Sequence, residues 1–473
     1  MKMTATTGNG AKTYDHSGDH LLELFSKMGS IRGKTVYYEN KTTDILDLFK
    51  NAWYSGDNIN CMKILFWSRN VRGGAGNRQT FRDCIKWLAD TNPEWVCANI
   101  HQIPFYGRWD DLLSLYNTDC EQAALQLWSD ALLANDPNIT PLAAKWADRQ
   151  DIKLRNFMKM SPKAFRKLVV ERTKWVVEKS MCSGNWEGID FSKVPSVAGS
   201  RYRNAFKAHQ KERYDQWCLD LVNNKKVNAS VLFPHDLVRL ARASEDRDAA
   251  FETLVETMFE NIPNYIEDPN VRCMPVCDFS GSMDGSPVSG SITALDVSLS
   301  LGLYCGDRLG KDNPFYRKLI PFASNARLVS WKDMSVLRAI REIPDGCCDS
   351  TNIKGALDVL LNSAVMWNVP KDKMVNTLII LSDMQFDDDF SDDGDGVIEH
   401  CMRRWEQAGY DRPKIVYWNL CSYNNQPATQ QEKNVALVSG FSPSILKNVL
   451  TKGMIDPLTV MWDTIDGYDI VIP

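Results

Sequence analysis

The sequence predicts a multidomain α plus α/β protein. An N-terminal α-helical solenoid of HEAT-like repeats spans residues 41–265, and a doubly wound, Rossmann-like α/β domain spans 266–473. Three observations carry this expectation. From about 43 to 262 apolar residues recur at intervals of three and four. Near 268 the pattern changes to continuous apolar runs that alternate with helical segments. Three loops at one predicted edge of the second part present carboxylates and hydroxyls, with no sulfur and no imidazole.

The helical part reads as successive short helices: "DILDLFKNAW", "NCMKILFWSRN", "RQTFRDCIKWLAD", "PEWVCANIH", "WDDLLSLY", "EQAALQLWSDALLA" and "PLAAKWADRQ". Breakers separate them, such as "RGGAGN", "TNP", "IPFYGR" and "NDPNIT". Pro93 and Pro141 each suit a first helical turn. Longer helices are expected near 162–180, 200–223 and 246–262. Helices on short connections stack in pairs, which is the solenoid expectation; no clean period emerges, so the repeats are degenerate. Residues 1–40 read as a mobile arm, because the first twenty are polar and carry no signal-peptide core.

The α/β part gives strands at "RCMPVCD", "YRKLIPFAS", "ARLVSW", "VNTLIILSD" and "PKIVYWNL", the second and third a possible hairpin. Helices are expected at "GSITALDVSLSLGLYCGDRLG", "IKGALDVLLNSAV" and "GVIEHCMRRWEQAG". Strands that are apolar throughout belong to a parallel sheet covered on both faces, and such sheets bind ligands at the carboxyl ends of their strands. "VCDFSGSMDG" leaves the first strand there and offers Asp278, Ser280 and Ser282. "CCDSTNIKGAL" places Thr351 before a helix, and "IILSDMQF" places Asp383 at the end of another strand. Hard oxygen donors with few carboxylates suit Mg²⁺ or Mn²⁺. Gly281 allows close approach of the backbone to such an ion. A simple capping loop is the alternative for "DFSGS".

Catalytic readings are less favoured. There is no G-x-S-x-G, and a phosphoryl-transfer site would want a second acid where the chain has Ser280, so no enzyme is expected. The seven Asp between 383 and 395 imitate an EF-hand start, but the twelfth position is His400 instead of Glu. A solvated acidic loop is the expectation there.

"DFSGSM", "STN" and "SD" resemble the three metal loops of the von Willebrand factor A domain, in the family's order, and the match covers about 270–455. The resemblance implies a metal-ion-dependent adhesion site formed by Asp278, Ser280, Ser282, Thr351 and Asp383. It implies an ion with an open position for a partner's acidic group, hence a metal-bridged contact and not hydrolysis.

The charge is unevenly spread. Residues 1–270 carry 36 Lys+Arg against 34 Asp+Glu, and residues 271–473 carry 19 against 26. Within 151–213 there are 15 basic and 6 acidic residues, which suggests a local anionic partner. Arg203, Lys207 and Lys211 are spaced by four on one predicted helix; Lys163, Arg166, Lys167 and Lys174 lie on another. Such rows can track a phosphate backbone, though a solvated helix face is the plain alternative. Arg72 and Arg78 flank "GGAG" in "NVRGGAGNR", which lacks the G-K-[ST] of a P-loop and reads as a tight interhelical turn or a phosphate-contacting loop. Lys145 is a further phosphate contact or an ion-pair member, and Arg108 is expected to bond Asp110 or Asp111. Trp53, Trp67, Trp87, Trp95, Trp109, Trp128, Trp146 and Trp175 have helical spacing and are expected in the core. The 13 cysteines, including the adjacent Cys347 and Cys348, read as reduced thiols of a cytoplasmic protein. No apolar run approaches the ~18 residues of a membrane span.

A helical array followed by an A domain resembles the Ro autoantigen family, whose helical module is called TROVE. "RGGAGNR", "YGRWDD", "LAAKW" and "KVPSVAGSRYRNAF" resemble more closely an uncharacterised family with the same layout, over about 40–455. The resemblance implies a ring closed by the A domain, and a ribonucleoprotein that binds small structured RNAs or single-stranded ends of defective RNAs. Two functions therefore stand as expectations: RNA binding through basic helical surfaces beside a Mg²⁺ site, and a protein-interaction scaffold whose metal captures an acidic group.

Overall fold

The apolar run that ends at Asp278 becomes a central strand, flanked on both sides by parallel neighbours. In the computed structural model the described residues are 5–7, 12–14, 16–29, 45–173, 177–194, 196–224, 232–242, 249–285, 287–289, 292–344, 351–387, 397–421, 427–430, 433–450 and 456–473. Among them, two two-residue strands near the N-terminus pair with each other, β1 (Ala5–Thr6) and β2 (Lys12–Thr13). Then come β3 (Cys273–Asp278), the short pair β4 (Pro287–Ser289) and β5 (Ile292–Thr293), β6 (Lys318–Phe322), β7 (Val329–Ser330), β8 (Thr377–Ser382), β9 (Lys414–Asn419) and β10 (Val435–Ser439).

The main sheet has the order β10-β9-β8-β3-β6-β7. All its neighbours run parallel except β7, which turns back antiparallel on β6 as the hairpin reading expected. Both β3 and β8 are buried at every position, so both faces of the sheet are covered. The helix Ala294–Asp307 packs on β3, and Cys273 and Cys277 both point their thiols at its carbonyls. From β3 the chain moves to β6 on one side, whereas from β8 it moves to β9 on the other. The crevice between the carboxyl ends of β3 and β8 is therefore the switch point where such sheets bind ligands.

The N-terminal region is helical, with short elements between Ile45–Tyr54 and Ala249–Glu260. Trp53, Trp67, Trp109 and Trp128 are buried in it; Trp87, Trp95 and Trp146 are half-buried against the same core. Trp175 and Lys174 lie outside the described residues, as do Cys347, Cys348 and the acidic stretch 388–396. "RGGAGN" is a tight turn folded back onto the helix Asn58–Arg69: Ala75 N–H donates to Trp67 O at 3.1 Å and Asn77 N–H to Ser68 O at 2.8 Å. A Cβ on Gly74 would sit 2.0 Å from Trp67 O, so that position requires glycine.

Two segments cross between the halves. The mobile-arm reading of residues 1–40 does not hold for the helix His20–Met28, where Leu22, Leu24, Phe25 and Met28 are fully buried. That helix begins at an Asp19 N-cap and packs on β10, with Ser439 Oγ donating to Phe25 O and accepting from Gly29 N–H. In the other direction, residues 468–471 return to the helical region. The Tyr468 hydroxyl accepts from Asn70, Gln102 donates to Asp469 O, and Asn99 exchanges two 2.9 Å hydrogen bonds with the Val471 backbone.

At this junction the buried His235 ring stacks on Phe233 and meets Phe441 edge-on, and its Nδ1 has no hydrogen-bond partner among the described residues. Burial holds its pKa below the ordinary value, only partly opposed by Asp236. The folded protein therefore holds the ring neutral, while the unfolded chain takes up a proton as pH falls through about 6.5. Stability should be full above that pH and decline below it, by at most about 1.4 kcal/mol per pH unit from this residue. Urea unfolding at pH 7.5, 6.5 and 5.5 checks this; His235→Phe should flatten the acidic decline.

Candidate metal centre and basic surfaces

Parallel pairing sets the site. Cys277 is level with Leu381, so Asp278 at the end of β3 stands beside Ser382 at the end of β8, one residue before Asp383. Asp278, Ser280, Thr351 and Asp383 are all essentially buried, and Ser282 is half-buried. The turn after β3 folds around its own carboxylate: Ser280 N–H donates to Asp278 Oδ1 at 2.9 Å. The hydroxyls of Ser280 and Ser282 lie 3.1 Å apart. Ser382 donates its hydroxyl to Asp278 Oδ2 and accepts from Met384 N–H, which fixes the start of the β8 loop.

The third segment is pinned from two sides. Asn352 N–H donates to Ala323 O just beyond β6, and Thr351 exchanges two hydrogen bonds with Asp387, at 2.8 and 3.1 Å. The segments carrying Asp278–Ser282, Thr351 and Asp383 thus meet at one edge of the sheet. Two of the fixing residues, Ser382 and Asp387, are absent from the sequence reading. Ser382 reads there only as the end of an apolar strand, and Asp387 only as part of a solvated acidic loop.

The electrostatics are those of an uncompensated anionic pocket. Burial pushes the Asp278 carboxyl well above the usual range, and the neighbouring Asp383 pushes it further, against hydrogen bonds from Ser280 and Ser382. Burial likewise raises Asp383, against Ser282 and the N–H of Gln385. Ser282 eases the Asp383 charge, yet Oδ2 of Asp383 has no hydrogen-bond partner among the described residues. Neither carboxylate takes part in an ion pair among those residues, and no group of three His, Cys, Asp or Glu ligands forms there. Two carboxylates flanked by hydroxyls, one carboxylate oxygen left unpaired, are a donor set that fits a hard divalent cation.

The predicted phosphate contacts are dispersed. Arg72 is exposed and donates to Phe105 O at 2.9 Å; Arg78 is exposed at the start of the helix Gln79–Thr91. Lys145 pairs with Glu178 at 2.9 Å, Lys167 lies 3.8 Å from Glu171, and Lys211 pairs with Asp215 at 2.6 Å. Lys163 and Arg166 are exposed on the helix Pro162–Arg172, and Arg166 lines a cavity of about 410 Å³ with Asp148 and Arg149.

The row Arg203, Lys207, Lys211 is not straight. The helix Arg203–Asn224 breaks its geometry at Gln210 (φ −147°, ψ 43°), between the second and third members. Arg203 is buried with its guanidinium 4.5 Å over Phe251, so it belongs to the packing and not to an exposed row.

A different basic cluster forms where "YGRWDD" meets the "RGGAGNR" turn. Buried Asp111 accepts from Arg69 Nε at 2.7 Å and Arg82 Nε at 2.7 Å, while Arg82 also reaches Asp110 at 2.8 Å. Asp111 bonds Arg108 too, but through the Arg108 backbone N–H at 2.9 Å. The expected side-chain bond from Arg108 to an Asp is replaced by stacking on Trp146, 5.1 Å from its ring centre. A Cβ on Gly107 would stand 2.4 Å from Asp111 Oδ2, so glycine lets the carboxylate into the turn.

A family model described as a domain of unknown function, DUF2828, matches residues 7–151 and 144–264, together more than half of the 473 residues. A second, described as a domain of unknown function, DUF7788, matches 272–465. Among curated proteins, the chain is similar to Uncharacterized protein L728 of Acanthamoeba polyphaga mimivirus, 26% identical over 528 residues, covering 99% of this chain and 88% of that protein. Among the described residues, no helix is long and apolar enough to cross a membrane.

Proposed function

The chain belongs to the DUF2828 family, and from that premise we propose that it is a cation-dependent binding protein, a helical scaffold joined to a von Willebrand factor A-type domain. Asp278, Ser280, Ser282, Thr351 and Asp383 would hold Mg²⁺ or Mn²⁺, which when bound supplies an open coordination position for an acidic oxygen of a partner. The chain's own part is to bury the carboxylates, orient the hydroxyls and exclude water from the crevice. The observation that carries this reading is the pair of buried, adjacent carboxylates with no cationic partner among the described residues, one of them with an oxygen left unpaired there. A bare pair of this kind is costly to keep ionised, and a divalent cation removes the cost.

The test is thermal. Millimolar Mg²⁺ or Mn²⁺ added to EDTA-treated protein should raise the melting temperature by several degrees, since ligand at a hundred times its Kd adds about 2.7 kcal/mol. Electron paramagnetic resonance should count one bound Mn²⁺ per chain, and Ser280→Ala with Thr351→Ala should weaken it. No response to either metal at 10 mM, about tenfold above the weak end of protein divalent sites, sinks the reading.

RNA binding is the second reading, favoured by the guanidinium cluster at Asp111 and by the cavity lined by Arg149 and Arg166. The paired lysines and the buried Arg203 shift its support away from the helical rows and onto that cluster.

A further inference from the structure

We propose that the corner formed by Arg69, Arg78 and Arg108 is a binding site for a phosphate group. Among the described residues, four guanidiniums, those of Arg69, Arg78, Arg82 and Arg108, share two carboxylates there, Asp110 and Asp111. The two carboxylates are used by Arg69 and Arg82. Arg78 and Arg108 form no ion pair among the described residues, although Asp110 and Asp111 partly offset the positive charges around Arg108. The charges of Arg78 and Arg69 both bear on Arg108, and that of Arg78 on Arg69, so the three lie within electrostatic reach.

Donors remain available at this corner. Arg69 is almost wholly buried, yet its Nη2 has no hydrogen-bond partner among the described residues. The Arg108 guanidinium lies over the Trp146 ring, 5.1 Å from its centre, and its side chain makes no hydrogen bond among the described residues. A guanidinium held against an aromatic ring in this way keeps N–H donors for a ligand. Arg78 is exposed at the rim. Asp111 fixes the whole arrangement by bonding Arg69, Arg82 and the Arg108 backbone together.

Guanidiniums on three different segments suit a tetrahedral oxyanion with several acceptor oxygens better than a planar carboxylate, which one fork satisfies. The inference is independent of the cation site. It shares its chemistry with the RNA reading, and only its RNA arm rests on that reading.

The experiment is isothermal titration calorimetry on the full chain, in EDTA, at matched ionic strength. Inorganic phosphate should bind saturably where chloride and acetate do not. Arg78→Gln, at an exposed position, and Arg108→Lys, which keeps the charge, should each weaken phosphate about tenfold or more. A single-stranded oligoribonucleotide with a 5′-phosphate is the second arm. Parallel loss of phosphate and oligonucleotide in both variants supports the site with RNA as its source. Loss of phosphate alone supports the site with a small phosphate compound as its source and removes RNA from it. No phosphate binding by the parent protein, an equal response to acetate, or unchanged phosphate affinity in Arg78→Gln overturns the proposal. The RNA reading survives that result if the oligonucleotide still binds. Should Arg108→Lys fail to fold, Arg78→Gln decides alone.

Discussion

Asp383→Asn is expected to stabilise the protein in EDTA and to abolish its response to Mg²⁺. The two effects have one cause. Asp278 and Asp383 end adjacent strands, both are buried, and each lacks an ion-pair partner among the described residues. In the metal-free protein, burial raises both carboxyls, and the Asp383 charge raises Asp278 further. Removing one charge relieves that repulsion, worth on the order of 1–3 kcal/mol at neutral pH. In a chain of this size that is a rise of about 2–4 °C for each kcal/mol. The substitution keeps the acceptor for Gln385 N–H, which bonds Oδ1 at 3.1 Å, and Oδ2 has no hydrogen bond to lose among the described residues. Without the second carboxylate the cation loses a charged ligand, so the Mg²⁺-dependent rise in melting temperature should vanish. Differential scanning calorimetry with EDTA and with Mg²⁺ measures both. A variant that melts lower in EDTA and still responds to Mg²⁺ would falsify this account.

Asp111→Ala should have the opposite character and a larger size. Its carboxylate joins three segments by accepting from Arg69, Arg82 and the Arg108 backbone. The Arg69 and Asp111 side chains are 1% and 0% exposed, so truncation strands a guanidinium in the interior. Breaking a buried pair in this way costs about 3–5 kcal/mol, a large share of an ordinary protein's 5–15 kcal/mol. Asp110→Ala removes only the outer, partly exposed contact to Arg82 and should cost about 1 kcal/mol or less. Urea denaturation of the two variants separates them. Equal losses would mean that Asp111 is not the keystone of the corner.

Much of this architecture is written in local patterns. Continuous apolar runs mark β3, β6, β8 and β9, and the oxygen-bearing residues stand directly after two of them. Their placement at one edge follows because parallel strands put all their carboxyl ends on the same side. Other elements escape such reading for physical reasons. "VALVS" is only five residues long and lies beyond a polar stretch, yet it forms β10 because a helix from the other end of the chain covers it. "DHLLELFSKM" carries an N-cap and an apolar stripe, but the polar residues before it mask the signal.

Side-chain partnerships are less legible still. A spacing of four aligns Arg203, Lys207 and Lys211 only on a straight helix, and the break at Gln210 depends on tertiary packing. Whether a lysine is available or neutralised depends on distant residues, as Lys145 and Glu178 show across 33 positions. Arg69 reads as one more polar position at a helix end, and nothing near it in sequence discloses the partner 42 residues on.

The crossing of the two ends has a practical consequence for dissection. The two family matches part between residues 264 and 272, which invites separate expression of each piece. A cut there would strip β10 of the helix that caps it and strip Asn99 and Gln102 of their backbone partners. Each fragment would display a raw apolar wound shaped like the other. Each piece expressed alone should therefore aggregate or melt early, and co-expression of the two should restore a soluble pair.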